Sequence, residues 1–401
     1  MAPTLGRQAR RSHTGKVVSR GRPVRRRFPG VPDLERAADR IARITAAPHD
    51  LVTLWRETTD VLTAAVPFYR TPCWYTLDPA SLLMTSHFHD GMPEFPAEWL
   101  HAEYLSDDVH HLVDVTRSPA GISTLHEVTG GDPSASPRWR ANMEMGGDQE
   151  LILGLRTRTG EVWGALGLYR EPGEPLFDGR EKQFLTAVAP RLAEGARRAL
   201  LVGEAADPEG PESPGLVILD ERFDVHSATP GVDRWLAELP DGDADAGRLP
   251  TALLTVAARA ASGDGGVAVA RVRSRGGTWM VLHGAPLVST GERRVAVIIE
   301  PAHPARILPL LMAAYGLTER ERDVTRAVLQ GGSTAQIADE LVLSTHTVQQ
   351  HLKSVFDKTG VRSRRDLVAT VFFTHYEPRF RDNEDRVVRH RPVRGGPVRR
   401  P

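Results

Sequence analysis

The spacing of apolar and polar residues predicts a unit of mixed helices and strands over residues 31–201. Apolar residues recur every three or four positions in Leu34–Ala46 and Asp50–Ala65, as they do along one face of a helix. The same spacing over Gly179–Leu201 predicts a long closing helix. Four runs of strand length lie between these helices: Cys73–Leu77, Leu82–Phe88, Leu151–Thr157 and Val162–Tyr169. The last two flank Thr159-Gly160, a dipeptide typical of a hairpin turn.

A stretch rich in proline and glycine, residues 202–214, predicts a linker to a second unit over residues 215–301. Two strands, helical material and three further strands are expected there: Leu216–Asp220, Phe223–Ser227, Val267–Arg273, Thr278–Leu282 and Val295–Ile299. Residues 302–312 are interpreted as a second linker. The chain thus has two mixed units ahead of its C-terminal region.

Residues 313–380 show a different pattern, in which capping side chains mark the starts of four helices. A Ser or Thr at the cap accepts a hydrogen bond from the first helical turn, and a Glu, Gln or Asp three residues later can reach back. Three starts have both residues: Thr318 with Glu321, Ser333 with Gln336, and Ser363 with Asp366. The fourth is Ser344, separated from the preceding helix only by Val342-Leu343. So short a connection predicts a helix-turn-helix.

The helix after Ser344 is predicted to have one apolar and one polar face. Its apolar residues are spaced to lie on one side: Val348, Leu352, Val355 and Phe356. The opposite side carries His346, Gln349, Gln350, Lys353 and Asp357. Gln can make two hydrogen bonds to adenine, and Lys can reach guanine or phosphate. Hydroxyls at a helix N-terminus favour phosphate, here those of Ser344, Thr345 and Thr347. This face is therefore a candidate surface for double-stranded DNA.

Four segments of the C-terminal region resemble the LuxR-type DNA-binding domain: Leu317–Val324, Gly332–Ala338, Leu343–Val348 and Gly360–Arg364. The resemblance implies a four-helix domain with base-reading residues at Gln349, Gln350 and Lys353. It also implies dimerisation through the fourth helix, at Val368, Val371 and Phe372.

The same resemblance implies that Glu321 pairs with Arg364 and so ties the first helix to the fourth. The chain departs from the family at two places. Gln349 stands where Lys or Arg is usual, which leaves the target sequence open, and Thr359 stands where the family has Leu.

The order of predicted elements in the front units resembles two sensor folds. Residues 31–201 resemble a GAF domain, and residues 215–301 resemble a PAS domain in which Thr229 stands near a common Asn. The expected fold class is an α+β multidomain protein. Two α/β sensor-like domains with antiparallel sheets precede an all-α, four-helix helix-turn-helix domain.

The formal net charge of zero hides an uneven distribution. Residues 1–30 contain eight Arg, one Lys and no acidic residue, and residues 381–401 contain seven Arg and three acidic residues. Both are expected to be disordered basic tails. The first is either a solvated tail or an arm that contacts the DNA backbone.

Several other classes of protein lack support in the sequence. No stretch is long and apolar enough to predict a membrane helix, and a cytoplasmic location is expected. A phosphate-binding Gly-x4-Gly-Lys-Ser/Thr loop is missing, as is the acidic pair of a phosphorelay receiver. Sigma-factor region four has similar capped helices, but nothing upstream resembles promoter-melting helices. Cys73 is the only cysteine, so no internal disulfide is expected.

Six histidines lie in one stretch of the first unit: His87, His89, His101, His110, His111 and His126. They are interpreted as ordinary surface histidines, with a metal site at His87–Asp90 as the alternative. An enzyme that uses Cys73 as nucleophile and a nearby His as base is a further alternative.

The prediction from sequence is a bacterial transcription regulator, not an enzyme, that binds double-stranded DNA as a homodimer under control of its front units. RNA polymerase is left open as a further partner. No cofactor is predicted, and a small-molecule ligand is left open. The alternative for the front half is a protein-interaction or dimerisation module without a ligand.

Overall fold

The computed structural model describes residues 33–89, 97–200, 214–242, 248–263, 268–287, 293–302, 304–368 and 386–389. The predicted tail over residues 1–30 lies outside them, as does most of the tail over residues 381–401.

The first unit contains a five-stranded antiparallel sheet in the order β2-β1-β5-β4-β3. Its strands are β1 (Cys73–Leu77), β2 (Met84–Phe88), β3 (Ile122–Thr124), β4 (Gln149–Arg156) and β5 (Val162–Arg170). The helices described with it are α1 (Leu34–Ala46), α2 (Leu51–Ala65), α3 (Ala97–Tyr104), α4 (Leu112–Arg117), α5 (Leu125–Val128), α6 (Pro137–Glu144) and α7 (Gly179–Ala199). The predicted hairpin at Thr159-Gly160 is confirmed, since β4 and β5 pair antiparallel across it.

The two faces of this sheet pack against different helices. Leu151, Leu153 and Leu166 on one face join a core with α1, α2 and α7. Tyr75 and Ile152 on the other face join a second core with α3 and α4. The second set of helices was not predicted, because Gly, Pro and His interrupt the apolar spacing between residues 97 and 144.

The second unit repeats the sheet order, as β7-β6-β10-β9-β8. Its elements are β6 (Gly215–Leu219), β7 (Val225–Ala228), α8 (Val232–Glu238), α9 (Thr251–Ala261), β8 (Ala268–Arg273), β9 (Trp279–Leu287) and β10 (Arg294–Pro301). The strand predicted from Phe223 begins later, at Val225, because Asp220 Oδ1 accepts hydrogen bonds from the backbone of Arg222 and Asp224 and closes a turn. Phe223 itself has φ 61 within that turn.

The two sheets are joined by buried contacts. Helix α9 packs on its own sheet and also on β2 and α3 of the first unit, so residues of both units form one core. Asp78, which is 1 % exposed, accepts hydrogen bonds from the backbone N, Nε and Nη2 of Arg271. Thr255 Oγ1 donates to Met84 O over 2.8 Å. The front units therefore pack together within the described structure.

The C-terminal region is helical. It contains α10 (Pro304–Ala314), α11 (Glu319–Leu329), α12 (Thr334–Leu341) and α13 (Thr345–Thr359), followed by a helical segment at residues 364–368. The stretch interpreted as a linker, residues 302–312, is thus mostly helix. Ile307, Leu310 and Leu311 of α10 are buried in the core that contains α7, so this segment is anchored to the first unit.

The predicted fold class is confirmed: two antiparallel sheets with helices precede an all-helical C-terminal region. No helix among the described residues is long and apolar enough to cross a membrane.

Candidate nucleic-acid interface

The turn between α12 and α13 is fixed by the residues at its two ends. Ser333 and Gln336 form a reciprocal capping box at the start of α12. At the end of that helix Val342 has φ 54, a left-handed conformation that closes the turn in few residues. Ser344 then caps α13 by accepting from Thr347 N over 3.0 Å. The local sequence therefore sets where the two helices stop and start.

The apolar face of α13 is buried as predicted. Val348, Leu352 and Val355 are each 5 % exposed or less. They pack in one core with α11 and α12, through residues such as Val324 and Ile337. Phe356 is partly buried against the same core. This packing fixes the rotation of α13 about its own axis and therefore which side chains face outward.

The predicted DNA-contacting residues lie together on the outer face and N-terminal turn of α13. Ser344, Thr345, His346, Gln349, Gln350 and Lys353 are exposed, and Thr347 is half-buried. The hydroxyls of Ser344 and Thr347 lie 2.8 Å apart and hydrogen-bond to each other, so the cap holds both of them. Within the described part of the chain the other polar side chains of this face are exposed, and those of His346 and Gln350 hydrogen-bond to each other.

Comparison with known proteins places this region in a family. Residues 316–371 match the family described as bacterial regulatory proteins, luxR family. Residues 316–371 are a luxR-family domain. The match includes all the helix-turn-helix residues described above.

Two curated relatives resemble the luxR-family domain alone. The nitrate/nitrite response regulator protein NarP of Escherichia coli is 46% identical over 57 residues, which are 14% of this chain and 26% of that protein. A putative HTH-type transcriptional regulator of Mycobacterium tuberculosis is 50% identical over 52 residues, which are 13% of this chain and 6% of that protein. The chain therefore spans about a quarter or less of the length of these relatives.

Two solved structures are similar to a larger part of the chain. A phycoerythrobilin-bound GAF domain from a cyanobacterial phytochrome has a TM-score of 0.31 and 17% identity, covering 42% of this chain and 96% of that one. A bacteriophytochrome from R. palustris has a TM-score of 0.27 and 13% identity, covering 70% of this chain and 64% of that one.

Glu321 of the luxR-family domain does not pair with Arg364, so that expectation is wrong. Its carboxylate accepts from Thr318 N over 2.7 Å, and from Ser354 Oγ and Lys358 Nζ over 2.6 Å each. Arg364 instead donates to Gly332 O over 2.8 Å and to Thr334 Oγ1 over 3.0 Å. Lys358 forms the ion pair with Glu321 because α13, which carries Lys358, packs directly on α11. Arg364 thus ties the fourth helical segment to the start of α12.

The bonds to Glu321 predict a stabilising effect with a defined pH range. Burial raises the pKa of this carboxyl, but Lys358, Ser354 and the Thr318 backbone outweigh it and lower the pKa to about 2. A lowered pKa stabilises the folded form above the ordinary value near 4.5, and the effect is lost as the pH falls from there towards 2.

We expect Glu321→Gln to destabilise the luxR-family domain at pH 7 by about 1.5–3 kcal/mol, the usual range for hydrogen bonds to a charged group. Amide hydrogen exchange of α11 and α13 measures this loss locally. The difference in stability between the wild type and the variant should narrow below pH 4.5, where the carboxyl of the unfolded wild-type chain begins to bind protons while the folded one stays ionised until near pH 2. If the difference in stability between the wild type and Glu321→Gln stayed constant down to pH 2, the role assigned to the Glu321 charge would be contradicted.

The predicted dimerisation residues are described only in part. Leu367 is buried in the core of the luxR-family domain, whereas Val368 next to it is 37% exposed. Val371 and Phe372 lie outside the described residues.

The interpretation of the histidines in the first unit as surface residues is wrong for His110. His110 is 1% exposed, and the other five are half-buried. The rings of His87 and His89 stack with centroids 4.4 Å apart. No group of three or more possible metal-ligating side chains occurs among the described residues.

The hypothesis of a Cys73 nucleophile also meets a physical obstacle. The thiol is fully buried, and burial raises its pKa to about 12. A thiol with so high a pKa forms almost no thiolate near neutral pH, and the thiolate is the reactive form.

A buried ion cluster in the first unit was missed by the sequence analysis. Arg138 on α6 is 1% exposed and donates to Glu103, and to Glu150 through Nε and, over 2.9 Å, through Nη2. Tyr169 OH donates to Glu150 over 3.0 Å, and His110 Nδ1 lies 3.3 Å from it. Because these residues are far apart in the sequence, their assembly depends on the folded sheet and helices.

Proposed function

We propose that this protein is a transcription regulator that binds double-stranded DNA as a homodimer through the exposed face of α13. The observation that carries the proposal is the division of α13 into two faces. Its apolar residues are buried in the luxR-family domain, while Gln349, Gln350 and Lys353 point outward. A helix held in this way can enter the major groove, where such side chains distinguish bases.

The N-terminus of α13 supports the proposal through its charge distribution. Backbone N–H groups at a helix start attract phosphate oxygens, and Thr345 is exposed in the first turn. Phosphate contacts there would set the position of the helix in the groove, and the side chains further along would read the sequence. RNA polymerase as a further partner and a cytoplasmic location remain expectations.

The described contacts also supply a route by which the front units would control DNA binding. Arg322 on α11 forms an ion pair with Glu161, at the turn between β4 and β5, and both side chains are mostly buried. Thr157 Oγ1 donates to the same Glu161 carboxylate over 2.8 Å. The luxR-family domain is therefore docked on the first unit, and a ligand or protein partner that altered this hairpin would change how α13 is presented.

We expect Gln349→Ala and Lys353→Ala each to weaken binding to the preferred DNA sequence by about 1–3 kcal/mol, because each removes contacts to base edges or phosphate. Operator fragments are first selected by the wild-type full chain from a random duplex library. Affinities are then measured by fluorescence anisotropy at one fixed salt concentration, since phosphate contacts make affinity depend strongly on salt.

The matched control is Gln330→Ala, the same chemical change at an exposed residue at the end of α11. It should leave the affinity within about 0.5 kcal/mol of the wild type, as for most exposed substitutions. The proposal fails if the wild type selects no preferred sequence, or if all three variants bind the selected fragment equally well.

A further inference from the structure

The outer face of α13 contains one side-chain hydrogen bond, between His346 and Gln350. His346 Nε2 lies 3.0 Å from Gln350 Nε2. The amide nitrogen of glutamine can only donate, so the imidazole nitrogen must accept. The ring is then neutral, with its proton on Nδ1. His346 is the second residue of α13 and lies one turn before Gln350.

This hydrogen bond decides which groups Gln350 offers to DNA. One amide N–H is used by His346, which leaves one N–H and the carbonyl oxygen. One donor beside one acceptor is the complement of the N7 and N6 groups of adenine in the major groove. With the amide turned around, its oxygen would be used and both N–H groups would face outward. Two donors would suit guanine, which presents two acceptors, O6 and N7.

We propose that His346 is a positioning residue that fixes the amide of Gln350 and thereby sets its preference for adenine over guanine. The proposal rests on the proposed function, since it requires the outer face of α13 to contact bases. Gln349 provides an internal comparison, because its neighbours one turn away are Thr345 and Lys353, and no side-chain hydrogen bond of Gln349 occurs within the described residues.

The sharpest test replaces His346 with residues that can only donate or only accept. In His346→Lys the ammonium donates to the amide oxygen of Gln350 and turns the N–H groups outward. In His346→Glu the carboxylate accepts from the amide, as the imidazole does. Each full-length variant is used to select sequences from the same random duplex library, and bound sequences are counted. Gln350→Ala identifies the operator position that Gln350 reads, because preference there should disappear.

At that position we expect the wild type and His346→Glu to prefer adenine over guanine by about tenfold, the size of one good side-chain pair. His346→Lys should reverse the preference, and His346→Ala should reduce it to about twofold. The position read by Gln349 should not change. The ratio between two bases at one position is compared, so an overall change of affinity caused by the new charge cancels.

The control for charge is Glu340→Gln, which raises the net charge by one as His346→Lys does but lies on the exposed side of α12. It should retain the wild-type base preference. If every His346 variant prefers the same base as the wild type, the positioning role is wrong while the proposed function stands. If the wild type selects no sequence at all, the proposed function itself has failed.

Discussion

Replacement of Arg138 by Ala should destabilise the first unit by about 3–5 kcal/mol, the usual effect of removing one partner from a buried ion pair. The guanidinium is the main partner of two carboxylates, Glu103 and Glu150, whose side chains have no exposed surface. It also lies 4.5 Å from the ring centre of Trp99. Without Arg138 both carboxylates would remain buried beside each other without their cation.

Urea unfolding followed by tryptophan fluorescence measures the effect, because five of the seven tryptophans, Trp99 among them, lie in the first unit. The control is Arg140→Ala, two residues along the same helix, where an exposed arginine donates to backbone oxygens of residues 134 and 135. This control should lower the free energy of unfolding by no more than about 1 kcal/mol. Equal effects of the two substitutions would contradict the role assigned to the buried cluster.

The pH dependence of the Arg138→Ala variant has a definite sign. Burial raises the pKa of both carboxyls, and in the wild type Arg138 and His110 outweigh burial at Glu150 and lower its pKa to about 2. Arg138 is the main group that lowers these pKa values against the effect of burial. Without it the folded variant binds protons more readily than the unfolded chain. Its stability should therefore rise as the pH falls from 7 towards 5, and the deficit against the wild type should shrink.

The second large effect is expected at Gly316, where the luxR-family domain meets α10. Gly316 has φ 68, and a Cβ built there would displace the guanidinium of Arg197, the flexible end of that side chain, whose Cζ lies 3.0 Å away. Arg197 on α7 donates to Ala314 O over 2.9 Å at the end of α10. We expect Gly316→Val to lower the free energy of unfolding by about 2–4 kcal/mol. The loss comes from the strain of a left-handed backbone at Val and from the lost hydrogen bonds of Arg197.

Gly331→Val separates these two contributions. Gly331 has φ 88, but no atom lies within 4 Å of its built Cβ position, so only the backbone strain applies. Amide hydrogen exchange of α10 and α11 in the full chain measures both variants. Gly316→Val should lose more stability than Gly331→Val, and this difference should disappear when Arg197 is also replaced by Ala. If the extra loss persists in that double variant, the contact with Arg197 is not its cause.

The docking of the luxR-family domain on the front units depends on the same junction. Lys358, which binds Glu321, also donates to Gly316 O over 3.0 Å. A movement of α7 would therefore shift Arg197, then the Gly316 backbone that Arg197 lies against, and then α13 through Lys358. This is a contiguous set of contacts between the first unit and α13, the helix proposed to bind DNA.

Patterns that depend on neighbours in the sequence were predictable here. The capping pairs at Thr318 and Ser333 form as expected, and so does the hairpin between β4 and β5. The buried face of α13 follows from its apolar spacing. In contrast, α3 and α6 were missed because proline, glycine and histidine break the spacing that identifies a helix.

The amino-acid sequence alone determined where the helices of the C-terminal region begin and which side of α13 faces outward. A cap and its partner are three residues apart, and a helical face repeats every three or four, so both follow from local geometry. Only the tertiary structure decided that Lys358, not Arg364, binds Glu321, and that Arg138 is buried between two glutamates. Such pairs join elements distant in the sequence, and their distances depend on how helices and sheets cross in the folded chain.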